Sequence, residues 1–355
     1  MSSFSRAEQQ LRDAVADGVF PGAVAEAGTL DGPVWSCATG HLTLGQDSPA
    51  VTAETIFDLA SLTKVVATTT IAMRQADAGV TPLDLRVGDA LTGWRGDDRR
   101  QVTVRDLLAH CSGLTAHLPF YRDHADRAEF EASVCQLPLE YPPRTRSVYS
   151  DLGFILLGFI LSNRHPDGAG LAEQFAHFAA ERGWGEIGYH PPASWRPRTA
   201  PTEQDPWRGR TLVAEVHDEN AWALGGAAGH AGLFGTAAAV SAFARDILRG
   251  FNGDATIASP ATFETFCRCT DVPGSSRALG WDTMRPTSSC GERLSPRSIG
   301  HTGFTGTSLW IDPDAGLSIV LLTNRVHPSR KNEAILQFRP GFHSAVHAAV
   351  THPCS

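Results

Sequence analysis

Thr55-Ile-Phe-Asp-Leu-Ala-Ser61-Leu-Thr-Lys64 leads into a run, Val65 to Ala78, that reads as a helix. A serine and a lysine three residues apart on a helix share one face, so the amine can reach the hydroxyl. That spacing makes a nucleophile and a base. The apolar, extended residues before Ser61 deliver it to a helix N-terminus, where main-chain N–H groups lack partners and the potential is positive. A serine hydroxyl needs a base at neutral pH, and a lysine serves only when it is neutral. Burial supplies that state by lowering a lysine pKa by up to ~3–5 units, so a buried, near-neutral Lys64 is expected. The same four residues also describe a capping serine with a solvated lysine one turn on. The rest of the chain has to decide.

The 355 residues are 42% apolar and carry a net charge of −8 with no basic stripe. This composition excludes nothing about enzymes but disfavours nucleic acid and anionic membranes as partners, and points to a small-molecule substrate. The opening Met1-Ser-Ser-Phe-Ser-Arg has no apolar core of signal-peptide length, and the longest apolar run, Leu152 to Leu161, is too short to span a bilayer; a cytoplasmic protein is expected. Seven cysteines (Cys37, Cys111, Cys135, Cys267, Cys269, Cys290, Cys354) form no C-x-x-C pair and are odd in number, which argues for reduced thiols. No H-E-x-x-H is present, and neither metal nor cofactor is expected.

Helical periodicity covers residues 5–18, and Pro21-Gly22 ends it. Ala23 to Thr29 and Val34 to Leu42 read as strands joined by Asp31-Gly32-Pro33. Thr103 and Asp106 have the spacing of a capping box. Helices are expected over 127–135, Asp151 to Ser162, Gly170 to Glu181, and from Thr236 to Leu248. Residues 183–217, rich in Pro and Trp, show no period and read as a functional wall, a lid or a packed surface arm. Thr307 to Asp312 and Leu317 to Thr323 read as a hairpin, with a closing helix over Gly341 to Val350. Strands at both ends and helices between them suggest an α+β fold with an antiparallel sheet. The sheet domain is expected from residues 1–75 plus 225–355, with a mainly helical domain, 76–224, inserted.

Three segments stand in a telling order: Ser61-x-x-Lys64, Tyr149-Ser150-Asp151, and His301-Thr302-Gly303 just before a strand. Together they resemble the S-x-x-K, Y-x-N and K/H-T-G pattern of the class C β-lactamase, DD-peptidase and family VIII esterase superfamily. His217-Asp-Glu-Asn-Ala, Gly229-His-Ala-Gly-Leu-Phe-Gly235 and Gly300-His-Thr-Gly-Phe-Thr-Gly306 with Thr323-Asn-Arg-Val-His-Pro328 are similar to a branch related to bacterial exo-acting muropeptide amidases. Each short motif is common by chance; all in one chain are not.

The resemblance implies a β-lactamase/transpeptidase-like fold and acyl-enzyme chemistry. Ser61 would attack an acyl carbon, with Lys64 and Tyr149 sharing the proton, and the amides of Ser61 and Phe304 would form an oxyanion hole. His301 joins these as a candidate catalytic residue. Asp151, Thr302, Gly303 and Arg325 are the candidate substrate contacts, Arg325 as a bidentate carboxylate clamp. Tyr149 is also readable as a packed aromatic, and His110, His217 and His230 as structural hydrogen-bonders. Two departures matter. Asp151 replaces an amide donor with an acceptor, and His301 replaces the permanent cation of K-T-G. Both weaken the case for an efficient β-lactamase and leave acyl-enzyme chemistry intact, since Ser61, Lys64 and Tyr149 remain. A carboxylesterase on small or medium acyl esters leads; an amidase or peptidase on muropeptides or D-amino-acid amides, a weak β-lactamase and a non-catalytic binding or scaffold protein are the alternatives. No G-x-S-x-G elbow occurs, which disfavours an α/β-hydrolase.

Overall fold

The computed structural model describes residues 3–45 and 47–352; Met1, Ser2 and Cys354, named above, lie outside the described residues. The chain opens with α1 (Ser5–Ala16), then pairs β1 (Gly22–Thr29) with β2 (Gly32–Gly40) as an antiparallel hairpin. It passes through a short strand, Phe57–Asp58, into a π-helical stretch, Lys64–Thr69, and α2 (Thr70–Asp77). Two further long helices follow, α3 (Asp151–Arg164) and α4 (Ala237–Phe251). The chain closes with β3 (Asp282–Thr283), β4 (Ile299–Thr302), β5 (Ser308–Asp312), β6 (Leu317–Thr323) and α5 (Ile335–Thr351). These strands form one antiparallel sheet in the order β2-β1-β6-β5-β4-β3. The two ends of the chain therefore meet at its centre, where β1 lies on β6.

Side chains alternate across a strand, so β6 can feed two cores. Leu317, Ile319 and Leu321 join Ala23, Ala25 and Ala27 of β1 beneath α1 and α5. Val320 and Leu322, with Val24, face α4 and the helical half of the molecule. Both faces are covered, which is why the strand reads as a continuous apolar run. Burying each such Leu or Ile contributes roughly 1.5–3 kcal/mol.

Thr103 and Asp106 form the expected capping box. Two expected helices differ in detail. The helix after Ser61 begins as a π-turn: Thr70 Oγ1 donates to Val65 O, five residues back, while Thr68 Oγ1 leaves its own helix to donate to Gly229 O at 2.7 Å. The closing helix begins at Ile335 and continues through Pro340, held by its buried face of Ile335, Phe342 and Val346. Residues 183–217 contain only short pieces, among them Ile187–Gly188, Ala193–Arg198, Gln204–Asp205 and Arg210–Thr211. Phe234–Gly235 pairs with both Ile187–Gly188 and Phe57–Asp58, and Ile56 N donates to Arg198 O. The long segment is thereby fastened along the approach to Ser61. Among the described residues, no helix is long and apolar enough to cross a membrane.

Candidate active site

Ser61 follows Ala60, whose φ of 47° lies in the left-handed region. Buried Asp58 holds this bend: its Oδ1 accepts from Ala60 N at 2.8 Å and its Oδ2 from His217 N at 2.7 Å. Burial raises the Asp58 pKa, and those hydrogen bonds oppose it. One turn on, Lys64 Nζ donates to Ser61 Oγ and to His230 O, both at 3.0 Å. Residue 229 must be glycine for this to happen, because a Cβ there would lie 2.0 Å from Phe154 O of α3. The glycine-rich segment thus lies against α3 and presents its carbonyls to the Ser61 helix.

The expectation of a near-neutral Lys64 does not hold. Asp151 Oδ1, at the start of α3, stands 2.8 Å from Lys64 Nζ. Burial pulls the lysine pKa down, but Asp151 and Tyr149 outweigh it and hold the amine above its ordinary value. Asp151 is correspondingly held far below the carboxylate range: burial opposes its charge, and the Lys64 ammonium and His117 override it. Asp151, read above as a substrate contact, instead spends its charge on Lys64. His117 Nδ1 stands 3.7 Å from the other Asp151 oxygen, and this half-exposed ring is shifted upward by the carboxylate.

Tyr149 packs its ring 4.8 Å from Lys64 Nζ and 5.7 Å from the His301 ring, and its buried hydroxyl interacts with Lys64 and Ser61. Burial pushes the phenol pKa up and the Lys64 charge pulls it down, with a net rise. His301 Nδ1 lies 2.8 Å from Thr302 O, which leaves Nε2 as a buried acceptor without a partner among the described residues. His110 accepts from Ser150 N at Nδ1. Burial first, then the Arg277 and Lys64 charges, drive both imidazoles well below their ordinary pKa, so both are neutral at pH 7. The Arg277 guanidinium lies 5.1 Å from the Tyr149 ring centroid.

Opposite Ser61, Thr302, Gly303 and Phe304 leave β4. Thr305 Oγ1 and Thr307 Oγ1 donate to the carbonyls of Asp58 and Leu59 at 2.7 and 3.0 Å, which ties this turn to the strand entering Ser61. From below, Arg339 Nη2 donates to Gly303 O and Thr307 O. The amides of Ser61 and Phe304 donate to no main-chain acceptor among the described residues. Phe304's ring stacks on His217, away from that amide role. Arg325 departs from its expected use. Its Nε donates to Phe304 O and its Nη1 to Arg330 O and Asn332 O, so it braces the turn and cannot clamp a carboxylate bidentately.

Ser61, Tyr149, Asp151, His301, Thr302, Gly303, Phe304 and Arg325 line one cavity of about 670 Å³, with Lys64 and His110 buried behind it; His117, Arg277 and Arg330, which the sequence reading did not single out, line it too, as do Asp218 and Glu219. Asp218 and Glu219 fall within the His217-Asp-Glu-Asn-Ala segment, whereas His117, Arg277 and Arg330 belong to no motif. His217 and His230 are structural hydrogen-bonders, paired with Glu203 at 3.0 Å and Asp218 at 2.7 Å.

Antiparallel sheet, flanking helices and an S-x-x-K serine facing Y-x-D and H-T-G define a protein of the β-lactamase/transpeptidase-like fold. The chain belongs to the Beta-lactamase family, whose family model matches residues 6–339. A protein of Escherichia coli (strain K12), provisionally named a D-alanyl-D-alanine carboxypeptidase, is 29% identical over 327 residues, covering 81% of this chain and 73% of that protein. Among solved structures, EstCE1, described as a hydrolase with promiscuous acyltransferase activity, matches with a TM-score of 0.76 at 21% identity, covering 97% of this chain and 98% of its own. Unliganded simvastatin synthase (LovD) from Aspergillus terreus matches with a TM-score of 0.74 at 18% identity, covering 98% of both chains. The two solved structures bear on the fold alone.

Proposed function

We propose that this protein is a serine hydrolase that works through a Ser61 acyl-enzyme, and that it is a carboxylesterase on small or medium acyl esters. The observation that carries the reading is Ser61 Oγ, 3.0 Å from Lys64 Nζ, facing a cavity opposite the Phe304 amide. Ser61 Oγ forms a bond to the acyl carbon, the carbonyl oxygen becomes an oxyanion between the Ser61 and Phe304 amides, and collapse expels the protonated alcohol. Water then attacks the ester carbon and frees the acid. The proton acceptor is Tyr149 phenolate or Lys64 amine. Both are held above their ordinary values, so turnover is expected to rise towards alkaline pH. Thr302 and Gly303 contact the acyl portion from β4. The domain organisation serving this chemistry is proposed as 1–75 plus 225–355 for the sheet half and 76–224 for the inserted helical half.

A second reading, hydrolysis of a D-amino-acid amide, is favoured by the 29% identical relative. Against it, neutral His301 and anionic Asp151 offer an amide substrate neither the cation nor the carbonyl donor that the motif positions otherwise supply.

Hydrolysis of p-nitrophenyl butyrate by the wild type and by Ser61→Ala tests the proposal, with circular dichroism as the check on folding. A loss of about 10³-fold or more is expected, as for removal of a nucleophile elsewhere. Full activity in a folded Ser61→Ala protein sinks the acyl-enzyme. Wild-type cleavage of D-alanyl-D-alanine peptides without ester turnover moves the second reading to the front.

A further inference from the structure

The two amides that would face an oxyanion stand on different supports. Ser61 precedes the helix that runs through the π-helical stretch into α2, and the carbonyl of its own peptide, Ala60 O, accepts from Thr63 N at 3.0 Å. A helix start puts positive potential behind that amide. Phe304 has no helix behind it. It stands in the turn after β4, and a sheet carries little net dipole. Charge behind this second amide has to come from a side chain.

Arg339 of α5 is placed to supply it. Its Nη2 donates to Gly303 O at 3.0 Å and to Thr307 O at 2.8 Å. Gly303 O is the carbonyl of the very peptide whose N–H is the Phe304 amide, so the guanidinium sits at one end of a peptide dipole and the oxyanion would sit at the other. Gly303 O also accepts from Gly306 N at 3.1 Å. Donors on a carbonyl polarise its peptide and strengthen the N–H on the far side, and a charged donor does so more than a neutral one. Arg325 treats the next peptide in the same way, with Nε on Phe304 O at 2.8 Å. Both peptide planes that flank Phe304 are therefore fixed through their carbonyls, although its ring is 50% exposed.

Bracing alone does not account for Arg339. The residue is 4% exposed, its Nε has no hydrogen-bond partner, and no carboxylate among the described residues offsets its charge. Burial and the Arg325 charge pull its pKa down to about 9, which leaves it a cation at neutral pH. A buried cation without a counter-ion is costly, and a neutral donor would satisfy the same two carbonyls for less. The oxyanion is the missing negative charge, and it exists only in the transition state. We propose that Arg339 is a positioning residue of the oxyanion hole, aiming and polarising the Phe304 amide through Gly303 O. The role rests on the Ser61 acyl-enzyme reading; the polarised peptide does not.

The test compares full-length wild type with Arg339→Met, Arg339→Gln and Arg339→Lys. It reads kcat and KM for p-nitrophenyl butyrate and the inhibition constant of n-butylboronic acid, which forms a tetrahedral adduct on a nucleophilic serine. Both probes are uncharged at pH 7, so a loss on them cannot come from a lost contact with a substrate anion. Removing an oxyanion donor outright typically lowers kcat about 10²-fold or more, so a donor weakened but still present should lower it about tenfold in the methionine and glutamine variants. KM should change little, the boronic acid should weaken in step with kcat, and lysine, which returns the cation, should recover part of both. A folded Arg339→Met protein with wild-type kcat and inhibition overturns the proposal, as does a loss that falls on KM alone. Equal losses in the lysine and glutamine variants overturn polarisation.

A second readout needs no turnover. With glycine carbonyls and phenylalanine amides isotopically labelled, the Gly303–Phe304 peptide, assigned by its disappearance in Gly303→Ala, should shift in the NMR spectrum of Arg339→Met. Resonances that stay in place overturn the proposal whether or not the ester is a substrate. Resonances that move in a protein without ester turnover sink the Ser61 reading and leave the polarised peptide standing. Thermal melts check folding; should the methionine variant fail, the glutamine variant, which keeps an amide donor, takes its place.

Discussion

Two sets of polar groups around the Ser61 cavity are built on opposite terms. In the paired set, charges stand opposed: Lys64 with Asp151 at 2.8 Å, His230 with Asp218 at 2.7 Å, Arg330 with Glu203 at 2.6 Å. In the unpaired set stand His110 Nε2, His301 Nε2 and Arg277 Nη1, all buried and all without a hydrogen-bond partner among the described residues. The carboxylate nearest to Arg277 among the described residues is Asp282, at 3.6 Å. Native interiors satisfy most buried polar atoms, so a cluster of unsatisfied ones marks a place where stability has been surrendered for recognition or chemistry. The paired set should respond to mutation mainly through folding, the unpaired set through catalysis.

Tyr149→Phe sharpens this contrast most, because its hydroxyl interacts with the paired Lys64 yet is assigned to the chemistry. Activity on p-nitrophenyl butyrate should fall about 10³-fold, the usual scale for a lost acid–base group. The unfolding free energy should fall by only about 1 kcal/mol, because the deleted hydroxyl leaves Lys64 and Ser61 with their other partners. A folded variant with normal activity, or one with a strongly lowered midpoint, contradicts the assignment.

Asp151 gives the opposite pattern. Truncating it to alanine leaves the buried Lys64 ammonium uncompensated and should cost about 3 kcal/mol in urea denaturation. The pair has simple pH behaviour. Lys64 is raised, so its contribution is complete below the ordinary 10.5 and is lost as pH rises through the higher folded value. Asp151 is lowered, so its contribution is complete above the ordinary 3.8 and is lost as pH falls through the lower folded value. Between those limits the pair stabilises steadily. Asp151→Asn removes the carboxylate that keeps Lys64 charged, and burial then dominates. The rising limb of kcat/KM should move to lower pH by more than about one unit. A limb that stays put separates the base from Lys64.

Gly303→Ala probes the turn opposite Ser61, which belongs to neither set. A Cβ at 303 would meet Thr307 Oγ1 at 2.0 Å and Leu59 O at 2.7 Å, so the turn must shift and take the Phe304 amide with it. Losing one oxyanion donor typically lowers kcat about 10²-fold, and the loss should fall on kcat more than on KM. An unchanged kcat would remove that amide from the mechanism.

Much of this was legible in the residues themselves. The nearly unbroken apolar run of Leu317 to Thr323 and the hairpin at Asp31-Gly32-Pro33 gave the sheet, because a strand covered on both faces is apolar almost throughout. Ser61, Lys64, Tyr149, His301 and Phe304 do line or abut one cavity, since each stands at an element end marked by a motif. The charge on Lys64 was not legible: its partner lies 87 positions away, and an aspartate in a Y-x-D motif looks the same whether it faces substrate or lysine. Arg325 looked free for the same reason; its acceptors are main-chain carbonyls of a loop without a motif. His117, Arg277 and Arg330 reach the cavity from segments with no period or signature, so only the folded chain brings them in.

Arg277→Gln gives the smallest effect and the finest test of the unpaired set. The neutrality of His110 and His301 has burial as its largest cause, with the Arg277 cation next, so removing that charge should raise both pKa values while leaving them below the ordinary 6.5. A histidine lowered in the fold costs stability as pH falls below its ordinary value, because the unfolded chain takes up the proton that the buried ring refuses. The variant should therefore lose less stability than the wild type between about pH 6 and pH 4, while the ring nitrogens followed by NMR titrate at a slightly higher pH. Ring resonances that do not move would mean that burial alone sets these imidazoles and that Arg277 faces the cavity for some purpose other than keeping them neutral.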